Sequence, residues 1–489
     1  MGKRAGGHGA AQGAVMLGKE SLRGRKTKII CTIGPASQDQ SVMQGLIRAG
    51  MDVARLNFSH GDEKWHEEVV AQLRRASERC GTHITLLGDL PGPKIRIGRL
   101  AVEPIWLEKG GELTITTAPL LGDKHGFSVE LPNLPRKLRP GNKVFLNDGI
   151  IGLEVIEIRG DEIRCVVTSG GELRSHKGLN LPGVDLGIEA FTPQDRKWLE
   201  FALKNGLHVL SQSFVQSAMD LKKVRGAARE LGKEIFLLAK IERGRALENL
   251  DEILEEADGI MIARGDLGVE MPIEQVPLIQ KEIIKKCNIL GKPVITATQM
   301  LESMTEHPRP TRAEATDVAN AILDGTDCVM LSAESAAGRY PLEAVETLER
   351  IAREVEASQS WIRQDYWEKK GPLEPRDLLA AAVGAILERT QPVAIFVPTK
   401  TGATARSIAA FRPLPWVVAV SSSHETFEAL CLSRGIHPVW EPKHPEDWKN
   451  YIRKWLEQKG IPHGLVILTE GPSSLHPQAN HRVEILETA

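Results

Sequence analysis

Phe236-Leu-Leu-Ala-Lys-Ile-Glu242, with Gly259-Ile-Met-Ile-Ala-Arg-Gly-Asp266 a short way downstream, decides how this chain is read. Each is a short apolar run of the kind that forms a buried strand, and each ends in charge. A lysine or carboxylate at the mouth of a buried strand must be paired, solvated or bound to a ligand. Lys240, Glu242 and Asp266 therefore mark a candidate site, with an internal Lys–Glu ion pair as the plain alternative.

Working outward, the same kind of run recurs at Lys28 to Thr32, Asp52 to Asn57, Ile84 to Asp89, His208 to Ser213, Val294 to Thr298 and Cys328 to Leu331. Helical patterns follow most of them: Ser41 to Arg48 (with a Ser37/Gln40 capping-box spacing), Pro193 to Lys204, Met219 to Leu231 and Ile273 to Leu290. Alternation of this kind implies parallel strands with helical crossovers, and eight such units predict an α/β chain built on a (β/α)8 barrel. Between the third and fourth runs, Gly98 to Leu186 is rich in Gly and Pro and alternates with period two, as in VFLND, GLEVIEI and EIRCVVT. This predicts a small all-β domain, an inserted β-barrel lid, on the barrel face where active sites lie. Beyond Ile351 a helical pattern and a charged linker lead to VAIFVPT, WVVAVSS, HPVWEP, LVILTE and RVEIL, which predict a C-terminal open α/β domain. The expected division is a flexible segment over 1–24, the barrel over 25–97 and 187–355, the lid over 98–186, and a regulatory or assembly domain over 356–489.

Composition narrows the function classes. With 62 Lys+Arg against 64 Asp+Glu the formal charge is −2, which offers no general field for nucleic acid or anionic lipid. No apolar run approaches the roughly 18 to 20 residues needed to cross a bilayer, and the N-terminus lacks a signal-like hydrophobic region. Six scattered cysteines without zinc-ligand spacing fit a reducing cytoplasm.

Nearly every barrel run ends in a polar residue: Arg55 and Asn57, Asp89, Ser213, Lys240 and Glu242, Asp266, Thr298, then Ser332 and Glu334. A barrel gathers these ends at one mouth. Two carboxylates with few histidines or cysteines nearby favour a hard divalent ion such as Mg²⁺, and Arg55 and Lys240 would face an anion held by it, most simply a phosphoryl group. Arg264-Gly-Asp-Leu-Gly268 precedes a helical stretch, so its free N–H groups suit a carboxylate or phosphate, although an ordinary strand-to-helix turn reads the same way. Gly13-Ala-Val-Met-Leu-Gly-Lys19 imitates a P-loop, but Glu20 replaces the metal-binding hydroxyl and no strand precedes it.

The motifs TKIICTIGPAS (27–37), MDVARLNFSHG (51–61), KGLNLPG (177–183), LAKIERG (238–244), ARGDLGVE (263–270), TATQMLESM (296–304) and the run 309–341 resemble those of the pyruvate kinase family, in order. The resemblance implies transfer of the phosphoryl group of phosphoenolpyruvate to ADP, giving ATP, and protonation of enolpyruvate to pyruvate. It further implies that Lys240 stabilises the phosphoryl group in flight, that Glu242 and Asp266 hold Mg²⁺ (Mn²⁺ as a substitute), and that Arg55 binds the phosphoryl group. Gly265 and Asp266 N–H groups with the Thr298 hydroxyl would take the substrate carboxylate, and Thr298, Ser332 and Glu334 lie where a proton relay would run. Thr32, Asn57, Ser59, His60, Arg96 and Lys177 match nucleotide-side positions, and a homotetramer is the family's usual assembly.

Two departures stand out. In Gly88-Asp-Leu-Pro-Gly-Pro-Lys-Ile-Arg96, Leu90 and Lys94 stand where potassium-dependent members have Thr and Glu, so the chain resembles the potassium-independent subgroup. The Lys94 ammonium would substitute for K⁺; the alternative is a residual K⁺ site through Asn57, Ser59, Asp89 and Leu90. In the tail, Thr399, Lys400, Thr401, Gly402 and Thr404 resemble an effector-phosphate loop opening a helix with Arg406, yet Thr469-Glu-Gly-Pro-Ser-Ser474 lacks the Trp and Arg of fructose 1,6-bisphosphate-regulated relatives. A sugar monophosphate, AMP or an empty site are the readings left. Outside this resemblance, a Schiff-base aldolase using Lys240 and an inactive phospho-metabolite sensor are the competing readings.

Overall fold

The computed structural model describes residues 22–358, 373–471 and 480–488. Eight parallel strands close into a barrel: β1 (Lys28–Thr32), β2 (Val53–Asn57), β3 (Thr85–Leu90), β4 (Val209–Gln212), β5 (Phe236–Ile241), β6 (Gly259–Ala263), β7 (Val294–Ala297) and β8 (Cys328–Leu331). They follow sequence order around the ring, β8 pairing with β1 in register Lys28 to Cys328. Near-continuous apolar runs make sense here, because helices cover the outer face while Ile30, Val53, Leu87, Leu238, Met261 and Met330 fill the interior.

Local chemistry sets the helices around the ring. Pro193–Lys204 starts at Thr192, whose hydroxyl and Asp195 form a reciprocal capping box with Pro at the first turn, and Arg312–Asp324 starts at Thr311 with Glu314 in the same roles. The expected box at Ser37/Gln40 does not form. Helix Gln40–Ala49 has Asp39 at its N-cap with no side-chain cap, while Ser37 Oγ accepts the Gly34 N–H at 3.1 Å. Serine is used there to fold a turn, a competing local bond that spacing alone does not exclude.

The β-rich insert leaves the ring after β3 and returns before β4. Its six-stranded sheet runs Leu179–Asn180, Lys143–Leu146, Ile151–Arg159, Glu162–Ser169, Glu112–Thr116, Gly126–Ser128, beside a two-stranded sheet of Ile105–Leu107 and Gly171–Leu173. Its two edge strands are only two and three residues long, and the 95–98 segment bridges them: Arg96 pairs with Gly178 beside one edge and Ile97 with Val129 beside the other. The insert has its own core, including Phe127, Val144, Leu153 and Ile163.

The C-terminal sheet has the order β11-β10-β9-β12-β13, with β9 (Ala394–Pro398), β10 (Trp416–Ser421), β11 (Ile436–Trp440), β12 (Leu465–Glu470) and β13 (Arg482–Glu487), all parallel except the last pair. It docks under the N-terminal end of the barrel, where Arg412 pairs with Asp327 at 3.2 Å, Lys28 donates to Ile436 O at 2.9 Å, and Leu432 closes the barrel interior. The opposite, C-terminal mouth is left to the insert.

No described helix is long and apolar enough to cross a membrane, and the six cysteines are unpaired. The P-loop-like segment at 13–19, and residues 472–474 of the tail loop, lie outside the described residues.

Candidate active site

Strand ends converge at the mouth on one buried ion network. Asp89, at the end of β3, is 1% exposed and takes the Arg55 Nε at 2.9 Å and Nη2 at 2.5 Å on a single oxygen, Oδ2, while Oδ1 accepts the Ser211 hydroxyl at 2.6 Å. Lys240, on β5, donates to Ser213 Oγ at 2.6 Å and lies 2.9 Å from Glu242 Oε1 and 3.5 Å from Asp89 Oδ2. Two cations thus share two carboxylates within a shell that excludes most water, where partial pairing matters more than at a surface.

Electrostatics separate the two acids. Burial pushes the Asp89 carboxyl up, but the Lys240 ammonium, the Arg55 guanidinium and the Ser211 hydroxyl outweigh it and hold the group below its ordinary value. At Glu242 burial wins: aided by the nearby Asp266 charge, it raises the carboxyl above the usual range despite Lys240 and the Phe214 N–H bonded to Oε2 at 2.6 Å. Lys240, although burial opposes its charge, is driven up by Asp89 and Glu242 and stays an ammonium. That removes the free amine a Schiff-base aldolase would need.

Asp266 sits in the first turn of helix Arg264–Glu270, so Arg264-Gly-Asp-Leu-Gly268 is itself the helix start and not a loop ahead of one. Glu242 and Asp266 present only hard oxygen donors, and the repulsion between them calls for a cation. The donor set fits a divalent ion of the Mg²⁺ type.

Thr298 lies just past β7 at φ +65°, followed by Gln299 at +53°. Left-handed backbone at a β-branched residue costs on the order of 1–3 kcal/mol and persists only where its surroundings enforce it. Its hydroxyl donates to Ala297 O at 2.7 Å and accepts the Gly265 N–H at 2.8 Å, so two expected carboxylate-binding groups are bonded to one another. Glu334 is fully buried and accepts the Leu301 and Ser332 N–H groups at 3.0 and 2.7 Å, clasping the loops after β7 and β8 together. That is the bonding of a brace between loops.

The expected nucleotide-side residues divide. Ser59 and His60 are exposed beyond β2 and Asn57 Oδ1 takes the Ser59 N–H at 3.2 Å, while Arg96 donates to His176 O at 2.9 Å and so ties the insert's two connecting segments together, next to half-buried Lys177. His60, exposed but partly desolvated by its surroundings, loses proton affinity to that desolvation and then to Arg96, Lys94 and Arg55, which marks this side as cationic. Thr32 points inward instead: it is buried, donates to Leu331 O and accepts Arg55 Nη1, both at 2.9 Å. Lys94 lies 3.9 Å from Asp148 on the insert, and Leu90 is fully buried in β3 with no side-chain oxygen to offer. A narrow cleft between insert and barrel, lined by Lys94, Leu181, Phe214, Arg243 and Glu270, opens beside this network.

In the tail, the Thr399 and Thr401 hydroxyls accept the Gly402 and Ala403 N–H groups at 2.9 and 3.4 Å, and Lys400 O takes Thr426 Oγ1, closing the loop at the head of helix Ala403–Ala410 on itself. Arg406 turns beneath that loop, its Nη2 on Thr401 O at 3.0 Å and its plane over Phe236.

Sequence reasoning missed Ser211, Phe214 and the bonding of Arg264. Polar Ser211 within a buried strand, and an arginine directly after one, were the available signals.

Comparison with known proteins agrees with this geometry. The family model described as pyruvate kinase, barrel domain matches residues 24–345, and that described as pyruvate kinase, alpha/beta domain matches 377–481. A pyruvate kinase of Thermococcus litoralis is 46% identical over 422 residues, covering 85% of this chain and 89% of that one. One from Clostridium acetobutylicum is 40% identical over 478 residues, 95% of this chain and 100% of the relative. The crystal structure of a pyruvate kinase from Cryptosporidium parvum superposes with a TM-score of 0.89 at 36% identity, covering 95% and 97% of the two chains.

Proposed function

Since the chain belongs to the pyruvate kinase family and moves the phosphoryl group of phosphoenolpyruvate to ADP, we propose how its own residues divide that work. Like its family it works with a divalent metal. The observation that carries the reading is the Arg55–Asp89–Lys240–Glu242 network at the barrel mouth.

Arg55 and Lys240 bind the phosphoryl oxygens, and Lys240, fixed by Ser213, Glu242 and Asp89, is already in place where charge develops during transfer. Glu242 and Asp266 would hold Mg²⁺, with Mn²⁺ as a substitute, and such an ion supplies Lewis-acid neutralisation of phosphoryl charge. The Gly265 and Asp266 N–H groups and the Thr298 hydroxyl take the substrate carboxylate, Gly265 giving up its present bond to Thr298. Thr298 and Ser332 carry the proton to the enolate, with Glu334 holding their loops. Asn57, Ser59, His60, Arg96 and Lys177 face the nucleotide, and Thr32 acts one step back by steadying Arg55.

We further propose turnover without K⁺. Leu90 removes an oxygen ligand, both Asp89 oxygens are bonded within the protein, and Lys94 adds fixed positive charge on the nucleotide side. Effector control by a sugar monophosphate or AMP would require a phosphate to displace the Thr399 and Thr401 hydroxyls from the 402–403 backbone, and assembly as a homotetramer is the accompanying expectation. A coupled assay with phosphoenolpyruvate, ADP and Mg²⁺ in tetramethylammonium buffer tests the reading. Full turnover is expected there; a rise of about tenfold or more on adding KCl would overturn potassium independence, and no pyruvate under either condition would overturn the assignment of residues.

A further inference from the structure

Arg264 is the first residue after β6, yet its guanidinium serves the neighbouring loop. Nη2 donates to Thr298 O at 2.7 Å and Nε to Ala297 O at 3.2 Å, while Nη1 binds Asp317 Oδ1 at 2.8 Å and Gln280 Oε1 at 3.3 Å. One rigid fork therefore grips two successive carbonyls and is itself anchored by a carboxylate from helix Arg312–Asp324. Those carbonyls flank the point where the chain turns left-handed at Thr298 and Gln299, a conformation a β-branched residue does not hold unaided.

We propose that Arg264 is a positioning residue for the protonation half-reaction: it enforces the left-handed turn that keeps the Thr298 hydroxyl fixed beside the Gly265 N–H at the head of helix Arg264–Glu270. This rests on the reading of Thr298 as the group that hands a proton to the enolate. In that step the Thr298 O–H bond breaks and a C–H bond forms at the enolate methylene from its π pair, the enolate oxygen becomes the pyruvate carbonyl, and Thr298 regains its proton from solvent. Arg264 touches neither phosphate nor methylene. Its loss should uncouple proton transfer from phosphoryl transfer.

The experiment compares Arg264→Met, Arg264→Lys, Asp317→Asn and Thr298→Ala. Two rates are read: exchange of pyruvate methyl protons in D2O with Mg²⁺ and ATP, followed by NMR, and ATP formation from phosphoenolpyruvate and ADP. Displacing a reacting group by about 1 Å costs on the order of 100-fold, so R264M should lose about that in exchange. ATP formation should fall at least about tenfold less than exchange does, with KM for phosphoenolpyruvate rising by up to about tenfold as the Thr298 hydroxyl leaves the carboxylate it shares with the Gly265 and Asp266 N–H groups. R264K, whose single nitrogen cannot span both carbonyls and Asp317 as the three nitrogens of the fork do, should fall between. D317N loosens a half-exposed anchor without endangering the fold, and should lower exchange by about three- to tenfold. Exchange unchanged in R264M and D317N while T298A abolishes it overturns the proposal alone, as does an equal fall in both rates. Exchange retained in T298A overturns the reading of Thr298 and the proposal with it.

Discussion

Replacing Asp89 by Asn keeps shape and removes one charge from the centre of the mouth. Arg55 then loses a carboxylate that two of its N–H groups share at 2.9 and 2.5 Å, and Lys240 loses an opposite charge at 3.5 Å. At an effective dielectric of about 20, a charge pair at that second distance is worth about 5 kcal/mol before desolvation is counted. Asn recovers part of this by accepting from Ser211 or Arg55. Breaking one member of a buried ion network costs about 3–5 kcal/mol in comparable cases, and we expect the lower half of that range. For a barrel of this size each kcal/mol shifts Tm by about 2–4 °C, so D89N should melt roughly 6–15 °C below the parent. Function should suffer separately, because Arg55 and Lys240 lose the anchor that aims them: kcat/KM should fall by about 100-fold or more at a temperature where both proteins are folded. Differential scanning calorimetry and the coupled assay measure the two effects. A melting point within about 2 °C of the parent together with kcat/KM within about threefold would refute the claim that Asp89 organises both cations.

Lys94→Glu combined with Leu90→Thr removes the ammonium and restores an oxygen ligand; turnover should drop at least about tenfold in potassium-free buffer and recover with KCl, and a variant indifferent to KCl contradicts the charge-substitution argument. His437, on β11, is pushed down to about 3 from 6.5 by burial, then by Lys459 and Lys28. The unfolded chain therefore takes up this proton first as pH falls, so stability is full above 6.5 and is lost on descending toward 3, by about 1.4 kcal/mol per unit and about 2 kcal/mol by pH 5. Urea unfolding of the C-terminal domain at pH 5 and 7 should show that loss and should show it flattened in His437→Gln; identical pH dependence in both proteins counts against it.

What the chain disclosed by itself was periodic and local. Apolar runs ending in Arg55, Asp89, Lys240 and Thr298, separated by helical patterns, carry the barrel and the end at which charge collects, because parallel strands buried on both faces leave polar residues little place but their termini. What stayed hidden depends on partners distant in sequence or on backbone shape. Asp89 bonds residues 34 positions before it and 122 after it, which no spacing rule connects. A left-handed threonine has no signature resembling that of glycine, so the Arg264 grip on Thr298 was invisible. The Ser37/Gln40 box failed because two local bonds competed for one serine, and the 95–98 segment that bridges the lid's edge strands is too short for alternation to register.

On the proposed division of labour, Lys240 stabilises charge on the phosphoryl group during transfer and does more than pair with Glu242. Steady-state turnover of Lys240→Met, with folding checked by its thermal transition, tests this most directly. K240M should lose about 1,000-fold or more in kcat with KM for phosphoenolpyruvate changed by less than about fivefold, since the lost interaction is strongest in the transition state. A folded K240M enzyme that keeps kcat within about tenfold of the parent would contradict it.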